Sequence, residues 1–170
     1  MKDKRISQTV EDLLNKQVGY EMGSFYTYHH ISNWCGANGY LVAERFFREY
    51  AHEEGMHVEN MMKYLLDRNC MPITPAMPKM ENEYNSLLDV FNKIYEFMKD
   101  VTANLRDIYS SAVSDNDYNT SSFVQKYIID QTEVEATYSN IIARLELLDG
   151  NMVGILDLEE DLEDILGIDK

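Results

Sequence analysis

Four long stretches of helical periodicity constrain the fold of this chain more than any other feature of its sequence. Apolar side chains recur every three to four residues through these stretches, and no alternating strand pattern competes with them. At about 1.5 Å per residue, such helices are roughly 40 Å long, a length typical of a four-helix bundle. The predicted helices run from a Thr9 cap to Cys35 and then cover about 40–67, 86–114 and 118–149.

The lengths of the connecting segments predict how these helices are joined. The first and third loops are short, so the helices on either side of each loop are expected to be antiparallel neighbours. The middle connection, about 68–85, holds all three prolines of the chain and is long enough to cross the length of a bundle. The sequence therefore predicts an all-α four-helix bundle with one long crossover between its second and third helices.

An acidic segment follows the bundle. One face of this segment is apolar, which predicts a short amphipathic fifth helix over about 155–167. Its apolar residues are Ile155, Leu158, Leu162 and Ile165. With 170 residues, the chain is long enough for one complete core. We therefore expect a single domain, 1–170, whose bundle covers about 9–149.

Charge and composition limit the classes of partner and compartment. The chain has 30 acidic residues against 15 lysines and arginines, a net charge of -15 that repels nucleic acid and attracts cations. The opening stretch "MKDKRISQTV" has no apolar targeting segment, and no run of about 18 apolar residues suits a membrane. Cys35 and Cys70 lack metal-type spacing and fit a reducing compartment. We expect a cytoplasmic protein with neither a nucleic-acid nor a membrane partner.

The second helix carries a Glu-x-x-His pair inside its apolar face. A rotation of about 100° per residue places Glu54 and His57 in the middle of an apolar stripe. Glu49 and His52 have the same spacing but fall on the opposite, polar side. The residues of the stripe are Ala43, Phe46, Phe47, Tyr50, Met61, Tyr64 and Leu65.

Two other helices also place polar side chains on their apolar faces. Glu21 lies at the centre of the first helix's stripe, which continues through Phe25 and Tyr28. Gln131 and Asp130 lie on or beside the stripe of the fourth helix, whereas the stripe of the third helix has no acid. Because an unpaired buried carboxylate is costly, Glu21 is expected to have a partner on a facing helix.

Two buried carboxylates, a histidine and a glutamine form a set of hard donors that suits a divalent ion such as Fe, Mn or Zn. The charges of Glu21 and Glu54, with neutral His57, balance one divalent ion. A second ion would need more carboxylates than this core offers. The alternative is a hydrogen-bonded polar cluster without metal, which would bury two acids with no gain in stability.

The sequences of the first two helices carry a family resemblance. The stretches "LLNKQVGYEMGSFYTYHHISNWC" and "FFREYAHEEGMHVENMMKYLLDRN" resemble the first two helices of bacterial-type, non-haem ferritins. The likeness extends through the crossover, "FVQKYIIDQTEVE" and the terminal helix. It implies an iron-storage subunit, with Fe(II) and Fe(III) as its metal, that assembles as a 24-mer cage, either alone or mixed with a catalytic subunit. No haem is expected, because Gly55 stands where haem-carrying relatives have methionine.

The resemblance assigns roles to the polar residues already singled out. Glu21, Glu54, His57 and Gln131 fall where such ferritins have ferroxidase-centre ligands. Tyr28 matches a tyrosine beside that centre, so an electron relay is one interpretation of it. The other is a core tyrosine with a hydrogen-bonded hydroxyl.

The resemblance also exposes departures from the family pattern. Glu53, Asp130 and Glu133 match an accessory third iron site, but Met98 and Val134 replace two carboxylates that serve the second iron. The first site is therefore expected to be intact and the second depleted, which predicts slow or weak iron oxidation. Two alternatives stay open: a non-catalytic subunit that builds the shell and nucleates mineral, and a ferritin-fold protein that uses another metal or peroxide.

Overall fold

The structure, a computed structural model, describes residues 3–80 and 83–165. This part of the chain folds into helices and has no strands. The helices are α1 (Gln8–Ala37), α2 (Leu41–Asp67), α3 (Leu87–Ser114), α4 (Tyr118–Leu148) and α5 (Met152–Ile165). The predicted four-helix bundle with a short fifth helix is confirmed. The predicted end of the fifth helix at 167 lies outside the described residues, and the single domain stays a prediction.

Two predicted helix starts are wrong because side-chain caps lie earlier in the chain. The Ser7 hydroxyl accepts a hydrogen bond from the Val10 N–H at 3.2 Å, so α1 begins before the predicted Thr9 cap. The fifth helix begins at Met152 rather than near 155. There the Asn151 side chain, at the turn before the helix, accepts hydrogen bonds from the first backbone amides of α5.

The bundle pairs α1 with α2 and α3 with α4, and α1 also packs on α3. The crossover follows α1: the Ile73 N–H donates to the Asn15 side-chain oxygen at 2.7 Å. Further along, the Tyr84 ring lies 5.6 Å from the ring of Trp34, near the far end of α1. The crossover thus spans the bundle as predicted. Among the described residues, no helix is both long and apolar enough to cross a membrane.

The buried face of α1 follows a seven-residue repeat, with alternating steps of four and three residues. The residues of this repeat are Val10, Leu14, Gln17, Glu21, Ser24, Tyr28, Ile31 and Cys35, and Glu11, Val18 and Ser32 are buried beside them. This spacing is typical of helices that supercoil in bundles. The predicted core position of Phe25 is wrong, because the buried face passes through Ser24 instead. The Phe25 ring lies half-buried at the surface, edge-on to His29 with 4.7 Å between ring centroids.

Helix α5 packs across the start of α2 and supplies its cap. Tyr40, the residue before α2, makes no side-chain capping bond. Instead the buried Glu159 carboxylate of α5 accepts a hydrogen bond from the Ala43 N–H at 3.0 Å. An ion pair between Arg45 and Glu163 adds a second connection between the two helices. The terminal helix is therefore attached to the bundle by polar contacts as well as by its apolar face.

Candidate metal centre

Three predicted ligands meet between α1 and α2, in the middle of the bundle. Glu54 and His57 are three residues apart, so both project from the same face of α2 toward Glu21 on α1. The His57 Nδ1 atom lies 3.1 Å from Glu54 Oε2 and 3.6 Å from Glu21 Oε2. One ligand atom from each residue lies within 4.8 Å of the others, the arrangement that a metal ion requires. The other Glu-x-x-His pair of this helix, Glu49 and His52, is exposed, as predicted.

Burial and mutual charge set the protonation of this trio. Burial, together with the charge of Glu21, raises the pKa of Glu54 well above its usual range. Burial also disfavours the charged forms of Glu21 and His57. The attraction between the carboxylates and the His57 imidazolium outweighs this cost of burial. The pKa of Glu21 is consequently lowered, and the two carboxylates raise the pKa of His57 to about 10. Without metal, the trio retains protons that a divalent ion would displace.

Two buried oxygens of the centre fit a cation as their partner. Glu21 Oε2 and Gln131 Oε1 have no hydrogen-bond partner among the residues that the structure describes. Glu21 is 1% exposed and Gln131 is 7% exposed, so water satisfies neither oxygen easily. Carboxylate and amide oxygens with a histidine nitrogen form a donor set that ferrous iron accepts. The residues present therefore fit the predicted first metal site.

Within the described part of the chain, the side of the centre that faces α3 has no charged metal-binding group. Gln131 donates its amide N–H to the Met98 sulfur at 3.8 Å, which turns its free oxygen away from that sulfur. Met98 is 1% exposed, and Val134 presents an apolar surface to the cavity that opens from the centre. Neither residue offers a charged oxygen to a second ion. The nearby Glu135 accepts a hydrogen bond from Thr102 at 2.5 Å and does not line the cavity.

A cavity of about 300 Å³ connects the centre to the surface between α2 and α4. Of the three acids predicted for an accessory site, Glu53 and Asp130 line this cavity, and both are exposed. Glu133 is exposed on α4 and does not line it. Two of these three acids thus lie at the mouth of the cavity that leads to the centre. Their role in iron binding stays a prediction.

Tyr28 lies in a cluster of aromatic residues that begins at the cavity. Tyr50 lines the cavity, and its ring centroid is 5.7 Å from that of Tyr28. The Tyr28 hydroxyl accepts a hydrogen bond from the Tyr138 hydroxyl at 2.8 Å, and both tyrosines are fully buried. A buried tyrosine hydroxyl needs a hydrogen-bond partner, and this contact supplies one, as expected of a core tyrosine. Its role as an electron relay stays a prediction.

Two buried amides that support the centre were not predicted from the sequence. Gln17 donates to Glu21 Oε1 at 2.7 Å, and Asn104 donates to the Gln17 side-chain oxygen at 2.8 Å. The position of Gln17, four residues before Glu21, was a signal that could have identified it. Asn104 has no such signal, because the apolar stripe predicted for the third helix passes through its neighbour Leu105.

Comparison with known proteins identifies the family. The model of the ferritin family, described as a ferritin-like domain, matches residues 11–148. A probable bacterial non-heme ferritin-like protein of Haemophilus influenzae is 29% identical over 157 residues, which cover 92% of this chain and 95% of that protein. A bacterial non-heme ferritin of Campylobacter jejuni is 29% identical over 160 residues, which cover 94% and 96% of the two chains.

Solved structures agree with this match. An open pore ferritin from the hyperthermophilic archaeon Archaeoglobus fulgidus superimposes with a TM-score of 0.87 at 27% identity, covering 92% of this chain and 97% of that one. The match between family model and sequence spans the four bundle helices, including the three predicted ligands that meet between α1 and α2. The chain therefore belongs to the ferritin-like family of iron-storage proteins, and the resemblance predicted from its sequence is confirmed.

Proposed function

We propose that this chain is an iron-storage subunit that binds one ferrous ion per bundle and oxidises it slowly. The observation that carries the proposal is the approach of Glu21, Glu54 and His57, whose ligand atoms lie within 4.8 Å of one another. Gln131 adds an uncharged oxygen from the facing helix. In this arrangement Glu54 is the central ligand, His57 supplies nitrogen, and Glu21 binds through its unpartnered Oε2.

The charge of the site supports a single divalent ion. Two ionised carboxylates and a neutral imidazole neutralise one ion of charge +2, so the occupied site carries no net charge in the core. A second ion would add two uncompensated positive charges to a region lined by Met98 and Val134. Its binding would carry a large desolvation penalty, which supports a site depleted on that side.

Single occupancy predicts slow oxidation. Reduction of dioxygen is easier when two adjacent metal ions share the electrons, and a lone ferrous ion supplies one electron at a time. The first ligand set would therefore hold ferrous iron without rapid turnover. Mineral growth would then depend on transfer of ions from the centre into the interior of a cage.

We further propose that the subunits assemble as a ferritin cage, a homo-oligomer of 24 subunits, in the cytoplasm. The net charge of -15 supports attraction of ferrous ions to such a shell. The exposed acids Glu53 and Asp130 at the cavity mouth would concentrate ions next to the centre. This gives the subunit an entry route that does not depend on the missing second site.

The Met98 contact favours a second candidate function. Because the Gln131 amide donates to a sulfur where a ligand would otherwise stand, the chain also fits a subunit that builds the shell and nucleates mineral without catalysing oxidation. Such a subunit would act with a catalytic partner in a mixed cage. Rapid oxidation of ferrous iron by a preparation of this chain alone would exclude this candidate.

Matched histidine variants test the leading proposal. His57→Gln removes the nitrogen ligand, whereas His52→Gln changes the exposed histidine of the other Glu-x-x-His pair. We expect anaerobic calorimetry of the assembled, metal-free protein to show one saturable ferrous site per subunit. That site should be markedly weakened in His57→Gln and retained in His52→Gln. Equal binding by both variants would contradict the proposed centre.

A further inference from the structure

A chain of buried amide hydrogen bonds reaches the proposed metal centre from α3. We propose that Gln17 and Asn104 are positioning residues that hold Glu21 as a single-oxygen ligand. This inference rests on the proposed function, because it concerns how the centre presents Glu21 to a cation. It assigns α3 a role in the centre despite the absence of a carboxylate from its stripe.

The two carboxylate oxygens of Glu21 have different surroundings. Gln17 donates its amide N–H to Glu21 Oε1 at 2.7 Å, and both side chains are almost fully buried. Oε2 has no hydrogen-bond partner among the described residues and faces His57 Nδ1 at 3.6 Å. The carboxylate is therefore divided into one oxygen held by an amide and one oxygen free for a metal.

The orientation of the Gln17 amide is fixed by its two hydrogen-bond partners. A glutamine amide that turns over would point its oxygen at the Glu21 carboxylate, and the hydrogen bond would become a repulsion. Asn104 prevents this rotation by donating to the Gln17 oxygen at 2.8 Å, so the Gln17 nitrogen must face Glu21. The Gln17 side chain is also fully buried.

The orientation of Asn104 is fixed in turn by the backbone of α1. Its amide nitrogen also donates to the backbone carbonyl of Leu13 at 3.2 Å. A backbone carbonyl only accepts hydrogen bonds, so this contact fixes the Asn104 nitrogen toward α1. The backbone of α1 therefore sets the donor and acceptor roles of the Asn104–Gln17 and Gln17–Glu21 hydrogen bonds. Through Asn104, α3 takes part in orienting Glu21.

The chemical consequence is control of ligand geometry. If Gln17 no longer holds Oε1, Glu21 can rotate, bind through both oxygens or turn away from the site. Partners that orient a metal ligand typically contribute about 10- to 100-fold to metal affinity. A role confined to packing predicts instead that apolar substitutes of the same size leave metal binding unchanged.

A double-mutant cycle distinguishes these roles, with Co(II) as the probe. The variants are Gln17→Met, Asn104→Leu and their combination, which replace the amides with apolar side chains of similar shape. Ser32→Ala removes a buried α1 hydroxyl far from the centre and serves as the control. Calorimetry measures Co(II) affinity, and visible absorption reports the Co(II) coordination geometry in the assembled protein.

We expect Gln17→Met to weaken Co(II) binding by about 10- to 100-fold and to change the absorption spectrum. Asn104→Leu should weaken binding in the otherwise unchanged protein. It should have no further effect in the Gln17→Met background, because it acts through Gln17. The Ser32→Ala control should bind Co(II) with the original affinity and spectrum.

Two results would overturn this inference: affinity and spectrum unchanged in Gln17→Met, or an equal effect of Asn104→Leu in both backgrounds. Should Asn104→Leu fail to fold, Gln17→Met alone decides between the two roles. Failure of the proposed function has a different outcome, since the unmodified chain would then bind no Co(II) at this site.

Discussion

Binding of a divalent ion to the metal-free protein is expected to release protons from the centre. In the metal-free trio, burial and the Glu21 charge raise the pKa of Glu54, and the two carboxylates raise the pKa of His57 to about 10. A metal ion requires neutral imidazole and ionised carboxylate, so it must displace these protons. Exchange of two protons for one divalent ion leaves the net charge of the buried site unchanged.

The number of protons released per ion follows from the pKa of His57. At pH 7, a group whose pKa is about 10 is protonated in all but about one molecule in a thousand. His57 alone therefore contributes about one released proton per ion, and Glu54 raises the total toward two. The apparent metal affinity should rise by about tenfold per pH unit for each proton displaced, at pH values below the pKa of His57.

Calorimetric titration with Zn(II) in buffers of different ionisation enthalpy measures the number of protons released. We expect between one and two per ion at pH 7, and about one fewer in His57→Gln if that variant still binds. His52→Gln should match the unmodified protein, because its imidazole is exposed and distant from the trio. Zn(II) binding with no proton release at pH 7 would refute the charge assignment of the site.

Three other substitutions test separate parts of the structure. Glu159→Ala removes the carboxylate that caps α2 at Ala43, and we expect the free energy of unfolding in urea to fall by about 1 kcal/mol. Met98→Glu should add a second ferrous ion per subunit in anaerobic calorimetry, while lowering the stability of the metal-free protein through an unpaired buried charge. Tyr138→Phe removes the partner of the buried Tyr28 hydroxyl, and thermal unfolding should show a loss of about 1 to 3 kcal/mol.

Helical periodicity predicted the bundle because long amphipathic helices have few ways to bury their apolar faces. The errors arose where local chemistry competes with periodicity. Ser7 displaced the predicted Thr9 cap, since either hydroxyl is chemically suited to the position and only the geometry decides. Phe25 was misplaced because a fixed step of 100° drifts away from the seven-residue repeat of supercoiled helices.

The candidate site was partly predictable from the same helical periodicity. Glu21, Glu54 and His57 stand out as polar residues on apolar stripes, and the cost of burying them implies that they meet. Asn104 could not be found this way, because its role depends on the separation and rotation of α1 and α3. The link between Tyr28 and Tyr138 is likewise a contact between distant helices that neither stripe specifies.

The number of ferrous ions bound per subunit distinguishes a single metal site from a paired one. Metal-free protein of known assembly state would be titrated with ferrous iron under anaerobic conditions in a calorimeter, then exposed to air while its absorbance is followed. One tight ion per subunit followed by slow oxidation is the predicted result. Two ions with a fast oxidation phase would contradict the assignment of Met98 and Val134, and no saturable ion would contradict the metal centre itself.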